Sequence, residues 1–152
     1  MYLSLQCQTN NHLQKQKMKK NKIIYWATTG IIALLMIFSA YSYLSKPEIV
    51  AAFKHLGFPD YLRVELAVAK ISGALILIIP AMPVKIKEWA YAGFGIVFIS
   101  ASIAHASNGD AAAMIITPMV FLAILIVSNI YLHKQKQLTV INSEKALITT
   151  VA

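Results

Sequence analysis

The sequence has few charged residues and almost no cysteine. Charged side chains make up 13% of its 152 residues, against ~25% in an average soluble domain. Cys7 is the only cysteine, so no disulfide can form within the chain and no Cys-x-x-Cys pair exists for a dithiol relay. These absences exclude disulfide-stabilised scaffolds and thiol–disulfide carriers.

Several other chemistries lack the residues that they need. His105 is the only histidine within a long apolar stretch, so haem held by two histidines is not expected. No group of histidine, cysteine and aspartate has the spacing of a zinc site. Gly93 and Gly95 have neither a third glycine nor a preceding strand, so they are not a dinucleotide fingerprint. The sequence therefore indicates no metal site and no evident cofactor.

Hydrophobic residues are abundant instead. They make up 58% of the chain, above the ~45–50% of a soluble domain, and the mean hydropathy is +0.62. This composition excludes a disordered chain. The net charge of +8 does not indicate nucleic acid as a partner, because such hydropathy does not suit a solvated binding surface. The composition predicts a membrane protein whose first partner is the lipid bilayer.

Four stretches are long and apolar enough, or nearly so, to cross ~30 Å of hydrocarbon as helices. They cover residues 23–44, 64–82, 89–107 and 111–132. The sequence thus predicts an all-α membrane protein with a four-helix transmembrane bundle over residues 23–132. The second span is marginal, since its apolar residues favour insertion by roughly 4 kcal/mol and Lys70 near its middle costs ~2.5–3.5 kcal/mol.

The segments before and after the bundle are polar. Residues 1–22 are expected to form a basic N-terminal tail, in which residues 1–17 are a disordered tail or a mis-called start before Met18. Residues 133–152 are expected to form a cytoplasmic tail. Neither segment carries a functional motif.

A short helix is predicted in the loop after the first span. Ser45 is a candidate N-cap, and Pro47 and Glu48 suit a first helical turn. Gly57 and Pro59 would end the helix. About ten residues cannot span a bilayer, so this helix is expected to lie in the interface or to fold back against the bundle.

The distribution of basic residues predicts the orientation. Of the 14 lysines and arginines, ten fall in the terminal segments and in the loop between the second and third spans. Because positive residues accumulate on the cytoplasmic side, both termini are expected there. The ten residues are Lys15, Lys17, Lys19, Lys20, Lys22, Lys85, Lys87, Lys134, Lys136 and Lys145.

Five ionisable residues are left over, and this topology brings them toward the outer mouth of the bundle. An ionisable residue within a span is a functional-site hypothesis by default. The alternatives are a structural ion pair, a snorkelling lysine and, at the start of the fourth span, an N-cap, the role we favour for its aspartate. The glutamate is expected to meet the histidine or another helix. The candidate cluster consists of Arg63, Glu65, Lys70, His105 and Asp110.

Several segments resemble the DoxX-like family of small membrane proteins. They include Leu56-Gly57-Phe58-Pro59, the run from Ala69-Lys70 to Pro80, and Gly109-Asp110 after His105. The most specific segment runs from Lys87 to Phe94, with the family-signature residues Lys87, Glu88, Trp89, Tyr91 and Gly93. The resemblance covers about residues 20–133.

This resemblance implies a four-helix protein of the bacterial cytoplasmic membrane. It further implies an accessory or scaffold subunit beside a quinone-linked redox or oxidative-stress system. Its partner would be a membrane or peripheral redox protein, and the cofactor that the resemblance implies is quinone. No catalytic residue is carried over. Two alternatives stay open: a quinone-linked oxidoreductase in its own right, with Lys70 or His105 handling protons, and a small-molecule transporter, which the uncharged first span disfavours.

Overall fold

Helices account for the regular structure of the chain. The computed structural model describes residues 2–151, and the side chains of residues 13–141 and 143. No strand occurs in this part of the chain, so the predicted all-α class is confirmed. The five helices are α1 (Tyr2–Ser45), α2 (Pro47–His55), α3 (Asp60–Ile78), α4 (Val84–Ser107) and α5 (Ala112–Val151).

The four long helices form a closed ring. α1 packs on α3 and α5, and α4 packs on the same two helices from the other side. Short links join α3 to α4 and α4 to α5, so these neighbours are antiparallel. We call the end at which α1 ends and α3 begins the outer end, and the opposite end the inner end. The core between the helices includes Ile32, Met36, Leu77, Phe94 and Leu125.

Three helices contain a segment long and apolar enough to cross a membrane. These segments are Leu13–Ser45, Val84–Ser107 and Ala112–Ile141. Large apolar side chains such as Leu34, Phe38 and Ile96 are exposed on the outside of the ring, as expected of a surface that faces lipid. α3 is not among the three because its 19 residues include Asp60, Arg63, Glu65 and Lys70.

α3 is displaced relative to the second predicted span. It begins at Asp60 and ends at Ile78, whereas the predicted span covers residues 64–82. The helix stops early because Ile79 is extended, the conformation favoured before a proline such as Pro80. Lys70 therefore lies about 15 Å from the outer end of α3, near the middle of the helix, as predicted.

The terminal segments continue the outermost helices. α1 includes residues 2–22, so their backbone continues the first long helix. α5 likewise runs on through residues 133–151. Neither stretch contains the glycine or proline that would end a helix.

The start of α2 also differs from its prediction. Ser45 is the last residue of α1, and Lys46 occupies the N-cap position of α2 without any side-chain capping bond. Pro47 does stand in the first turn, as predicted. The single residue between the two helices leaves no room for a separate cap at Ser45.

Candidate functional site

The outer end of α4 closes in a turn that fixes an acidic side chain. Gly109 has a φ of 69°. The Asp110 amide donates to the His105 carbonyl at 3.1 Å, and the Gly109 amide donates to the Ala106 carbonyl at 3.2 Å. This is the Schellman pattern, which glycine favours because it tolerates positive φ. The turn carries Asp110 back over the helix, where its Oδ2 lies 2.7 Å from His105 Nδ1.

A second histidine reaches the same carboxylate. His55, the last residue of α2, places its Nε2 3.2 Å from Asp110 Oδ1. The hydrogen bond with His105, followed by the one with His55, lowers the pKa of the Asp110 carboxyl. Asp110 therefore joins α2 to the α4–α5 link as a carboxylate. Its expected role as an N-cap is wrong, because both of its oxygens bind histidine and α5 begins only at Ala112.

Lys70 lies buried in the middle of α3 and faces α1. Its side chain is 4% exposed. The ammonium donates to Ser39 Oγ at 2.9 Å and lies 3.6 Å from the centroid of the Tyr43 ring. No carboxylate pairs with Lys70 within the described residues. A hydroxyl and an aromatic face compensate an ammonium only in part, so no described residue neutralises the positive charge of this group.

Arg63 lies nearer the outer end of α3 on the same face as Lys70, as the seven-residue spacing predicts. Its guanidinium Nη1 donates to the Tyr43 carbonyl. The buried Nε has no hydrogen-bond partner among the described residues. Both cations of α3 thus converge on one residue of α1, Tyr43, with its backbone bound by one and its ring by the other.

The five residues of the predicted cluster fall into separate places. His105 and Asp110 meet at the outer end, and Arg63 and Lys70 meet at Tyr43. Glu65 joins neither group: its side chain is exposed on the outside of α3, and it makes no hydrogen bond or ion pair with any described residue. The contact expected between Glu65 and His105 is therefore not formed.

A groove between α3 and α4 passes beside Lys70. Its cavity volume is about 390 Å³, and we call it the α3–α4 groove. Gly73 lets the helices approach at its floor, since a Cβ there would lie 2.6 Å from Phe94 Cζ. Trp89, which is 81% exposed, stands on its rim. Its wall residues are Leu66, Ala69, Lys70, Ser72, Gly73, Ile76, Ile86, Trp89, Ala90, Gly93, Phe94 and Val97.

The signature segment of α4 presents its residues in different directions. Trp89 and Gly93 face the α3–α4 groove. Glu88 turns toward α5, with its Oε1 3.3 Å from His133 Nε2. Lys87 and Tyr91 are buried inside the ring. The segment thus contributes both to the groove and to the core.

Lys87 is not a solvated anchoring charge at the inner end. It is 4% exposed, and its ammonium donates to Tyr25 Oη at 3.2 Å and to the Leu77 carbonyl at 3.3 Å. Counting Lys87 among the cytoplasmic lysines does not predict these contacts inside the ring. Its position in the first turn of α4 turns it toward α1, a rotation that hydropathy does not reveal.

Sequence reasoning also missed the uncharged polar residues of the core. Ser128 Oγ lies 2.7 Å from Thr29 Oγ1 and 2.7 Å from Tyr91 Oη. These three residues link α1, α4 and α5 by a buried chain of hydrogen bonds. The sequence signal that could have found them is a hydroxyl residue within an otherwise apolar helix, namely Thr29 in α1 and Ser128 in α5. No set of three or more His, Cys, Asp or Glu side chains in the described part of the chain is arranged to hold a metal.

Comparison with known protein families gives a match. The model of the DoxX-like family matches residues 27–128, a segment that contains Lys70, the signature residues, His105 and Asp110. No curated protein and no solved structure matches the chain. The match covers most of the helical ring and agrees with the three apolar helices, so the chain is a multi-pass membrane protein that belongs to the DoxX-like family.

Proposed function

We propose that all four long helices span the bacterial cytoplasmic membrane, with both termini in the cytoplasm. Two observations support α3 as the fourth span. Its 19 residues extend about 28 Å, close to the hydrocarbon thickness. Its central cation, Lys70, is turned into the ring and bound by α1, so the helix presents apolar residues such as Val68 and Leu75 outward. α2 would lie at the outer interface.

We propose further that the protein is an accessory subunit that binds a lipophilic, acceptor-bearing ligand of the quinone type in the α3–α4 groove. The observation that carries this proposal is Lys70, a residue that lines the groove, is 4% exposed and has no carboxylate partner among the described residues. A ligand carbonyl would supply the missing acceptor in a medium of low dielectric, where charge-assisted hydrogen bonds are strong.

The groove has the character of a site filled from the bilayer. Its volume of about 390 Å³ falls within the ~300–1,000 Å³ of small-molecule sites. Apart from Lys70 and Ser72, its walls are apolar or glycine. The exposed rim residues Trp89 and Ile86 place its opening on the lipid-facing surface. Such a groove suits a ligand with an apolar tail and one polar ring.

The wall residues are suited to holding a ligand and not to transforming it. The Ser72 hydroxyl donates to the Val68 carbonyl, and the other walls are hydrocarbon apart from Lys70. A bound quinone would supply two-electron redox chemistry, with the electrons exchanged by a partner redox protein. Lys70 would position the ring and hold positive charge beside its oxygen. This division of labour supports an accessory role over an independent oxidoreductase.

The binding proposal can be tested through the two tryptophans. Trp26→Phe leaves Trp89 on the rim of the groove as the single tryptophan, and a quinone quenches indole fluorescence on contact. A short-chain benzoquinone titrated into protein in lipid nanodiscs is expected to give saturable quenching. Lys70→Met should weaken binding roughly tenfold or more, since it removes a charged hydrogen-bond donor.

Lys54→Met is the matched control, because Lys54 is exposed on α2. It should leave the affinity unchanged. Quenching that rises linearly without saturation, or equal affinities for Lys70→Met and the parent protein, would exclude the groove as a quinone site. The subunit role is tested separately by cross-linking in native membranes, where recovery of the chain without a redox protein would count against it.

A further inference from the structure

A second cavity lies at the inner end of the ring, away from the α3–α4 groove. We call it the inner cavity; its volume is about 510 Å³. It is bounded by α1, the α3–α4 link, the first turn of α4 and the inner part of α5. Its walls are Lys22, Tyr25, Trp26, Pro80, Met82, Val84, Lys87, Leu132 and Gln135.

Two lysines of different character meet at this cavity. Lys22 is exposed, whereas Lys87 is 4% exposed. Anchoring on the cytoplasmic side explains a solvated lysine such as Lys22. It does not explain Lys87, whose two neutral acceptors leave its charge without a counterion among the described residues. Burial of an ammonium group in this way is unfavourable unless a negative group compensates its charge.

The surroundings of the inner cavity are positive. A neighbouring cavity of about 610 Å³ shares Lys22 and Gln135 with it and adds Lys15 and Lys19 to the same side of the ring. The carboxylate nearest to Lys87 in sequence is that of Glu88, which does not line the inner cavity. Glu88 lines a separate cavity and pairs with His133. No acidic residue therefore lines either basic cavity in the part of the chain whose side chains are described.

The start of α4 adds to this positive potential. Val84, the first residue of α4, lines the inner cavity. Pro83 stands at the N-cap position and no side chain caps the helix. The positive end of a helix dipole attracts anions. The buried Lys87 ammonium and the uncapped helix end thus act on the same cavity.

We propose that the inner cavity binds a phosphate group, with the lysines of α1 and α4 as its cationic ligands. The phosphodiester of an anionic phospholipid is the first source to test. From Lys22 to Ser45, α1 extends about 34 Å, which places Lys22 at the headgroup level when Ser45 is at the opposite surface. The apolar walls Met82, Val84 and Leu132 would meet the first methylenes of the acyl chains.

This site is independent of the α3–α4 groove and is tested with different reporters. Trp89→Phe leaves Trp26, which lines the inner cavity, as the single tryptophan. Phosphatidylglycerol is titrated into the protein in uncharged detergent, with phosphatidylcholine as the zwitterionic reference. Inorganic phosphate is titrated in a parallel arm. Saturable change in Trp26 emission with phosphatidylglycerol, and none with phosphatidylcholine, is the expected result.

The lysine variants give the decisive comparison. Lys22→Gln should weaken phosphatidylglycerol binding about fivefold, the effect of one lysine near an anionic headgroup, and Lys87→Gln should weaken it by more. Lys20→Gln is the matched control: it removes the same charge from α1 at an exposed residue that lines neither cavity, and it should leave binding unchanged. Lys22 is exposed, so its variant remains informative even if Lys87→Gln does not fold.

Each arm has a defined meaning. Saturable binding of inorganic phosphate with the same dependence on Lys22 would support the phosphate site and assign a free anion as its source. Equal weakening by Lys20→Gln and Lys22→Gln would show a diffuse surface charge and overturn the proposal. A Trp26 response to neither phosphatidylglycerol nor phosphate would overturn it as well.

Discussion

The ammonium of Lys70 lies 3.6 Å from the centroid of the Tyr43 ring, which makes Tyr43 the principal partner of the one lysine in the middle of α3. A cation over an aromatic face contributes about 2 kcal/mol when both groups are desolvated. The same residue accepts the Arg63 guanidinium at its backbone carbonyl. Tyr43 thus holds α3 against α1 through two contacts, one made by its ring and one by its backbone carbonyl.

Removal of the Tyr43 ring should destabilise the protein. We expect Tyr43→Leu to lower the free energy of unfolding by about 2 kcal/mol, through loss of the cation–π contact, whereas Tyr43→Phe retains the aromatic face and most of the stability. Unfolding in mixed micelles measures both. Tyr41→Leu is the control, because Tyr41 is 61% exposed. Equal losses for Tyr41→Leu and Tyr43→Leu would contradict a specific contact with Lys70.

Close packing at Gly73 should be sensitive to a single methyl group. A Cβ at this position would lie 2.6 Å from Phe94 Cζ, so Gly73→Ala is expected to cost ~1–3 kcal/mol through overpacking. Gly95→Ala is the matched control, since its Cβ would lie 3.9 Å from the nearest atom. Addition of Phe94→Leu should restore part of the loss. A neutral Gly73→Ala would show that α3 and α4 are not in close contact there.

The buried hydroxyl of Ser128 should matter more than either of its partners. It is hydrogen-bonded to both Thr29 and Tyr91. Ser128→Ala leaves two buried groups without this partner, whereas Tyr91→Phe leaves one. In a membrane each such bond contributes about 0.6 kcal/mol, up to ~1.7 kcal/mol. A double-mutant cycle with Thr29→Val should show positive coupling, and strictly additive losses would argue against a direct bond.

The pairing of Asp110 with two histidines predicts a dependence of stability on pH. These bonds lower the pKa of the Asp110 carboxyl in the folded protein. The unfolded chain therefore binds this proton more readily, and the resulting stabilisation is present above the ordinary carboxyl pKa and lost as the pH falls through the lowered folded value.

Thermal unfolding at several acidic pH values checks this prediction. The difference in Tm between the parent protein and Asp110→Asn should shrink as the pH falls. Protonation removes the negative charge of the Asp110 carboxylate, and the amide of the variant has no such charge at any pH. Asp60→Asn, at the exposed first residue of α3, is the control for a general charge effect. A gap in Tm that stays constant down to the most acidic pH would contradict the role given to the Asp110 carboxylate.

Hydropathy and turn chemistry predicted where most of the helices lie along the chain, but not how each helix is rotated about its own axis. The apolar runs located α1, α4 and α5, and Gly57 and Pro59 located the end of α2. What no single-sequence pattern supplies is the angle at which each helix faces its neighbours. This angle decides that Lys70 meets Tyr43 while Glu65 faces outward.

The candidate site was predicted in part for the same reason. The charge within the second predicted span drew attention to Lys70, and the seven-residue spacing placed Arg63 on the same face of the helix, as the structure shows. The burial of Lys87 was not predicted, because the rule for cytoplasmic charge counts lysines without regard to the direction in which they point. The sequence favours an N-cap at Asp110, because only the folded turn brings this residue onto His105 and His55.

The central claim, that Lys70 binds a ligand in addition to its contact with Tyr43, is tested most directly by ligand-linked stability. At a concentration 100 times its dissociation constant, a ligand that binds only the folded state stabilises it by about 2.7 kcal/mol. We predict that a short-chain quinone raises the unfolding free energy of the parent protein by this amount. We also predict that Lys70→Met folds and gains nothing from the quinone. Equal stabilisation of both proteins by the quinone, or stabilisation of neither, would contradict the claim.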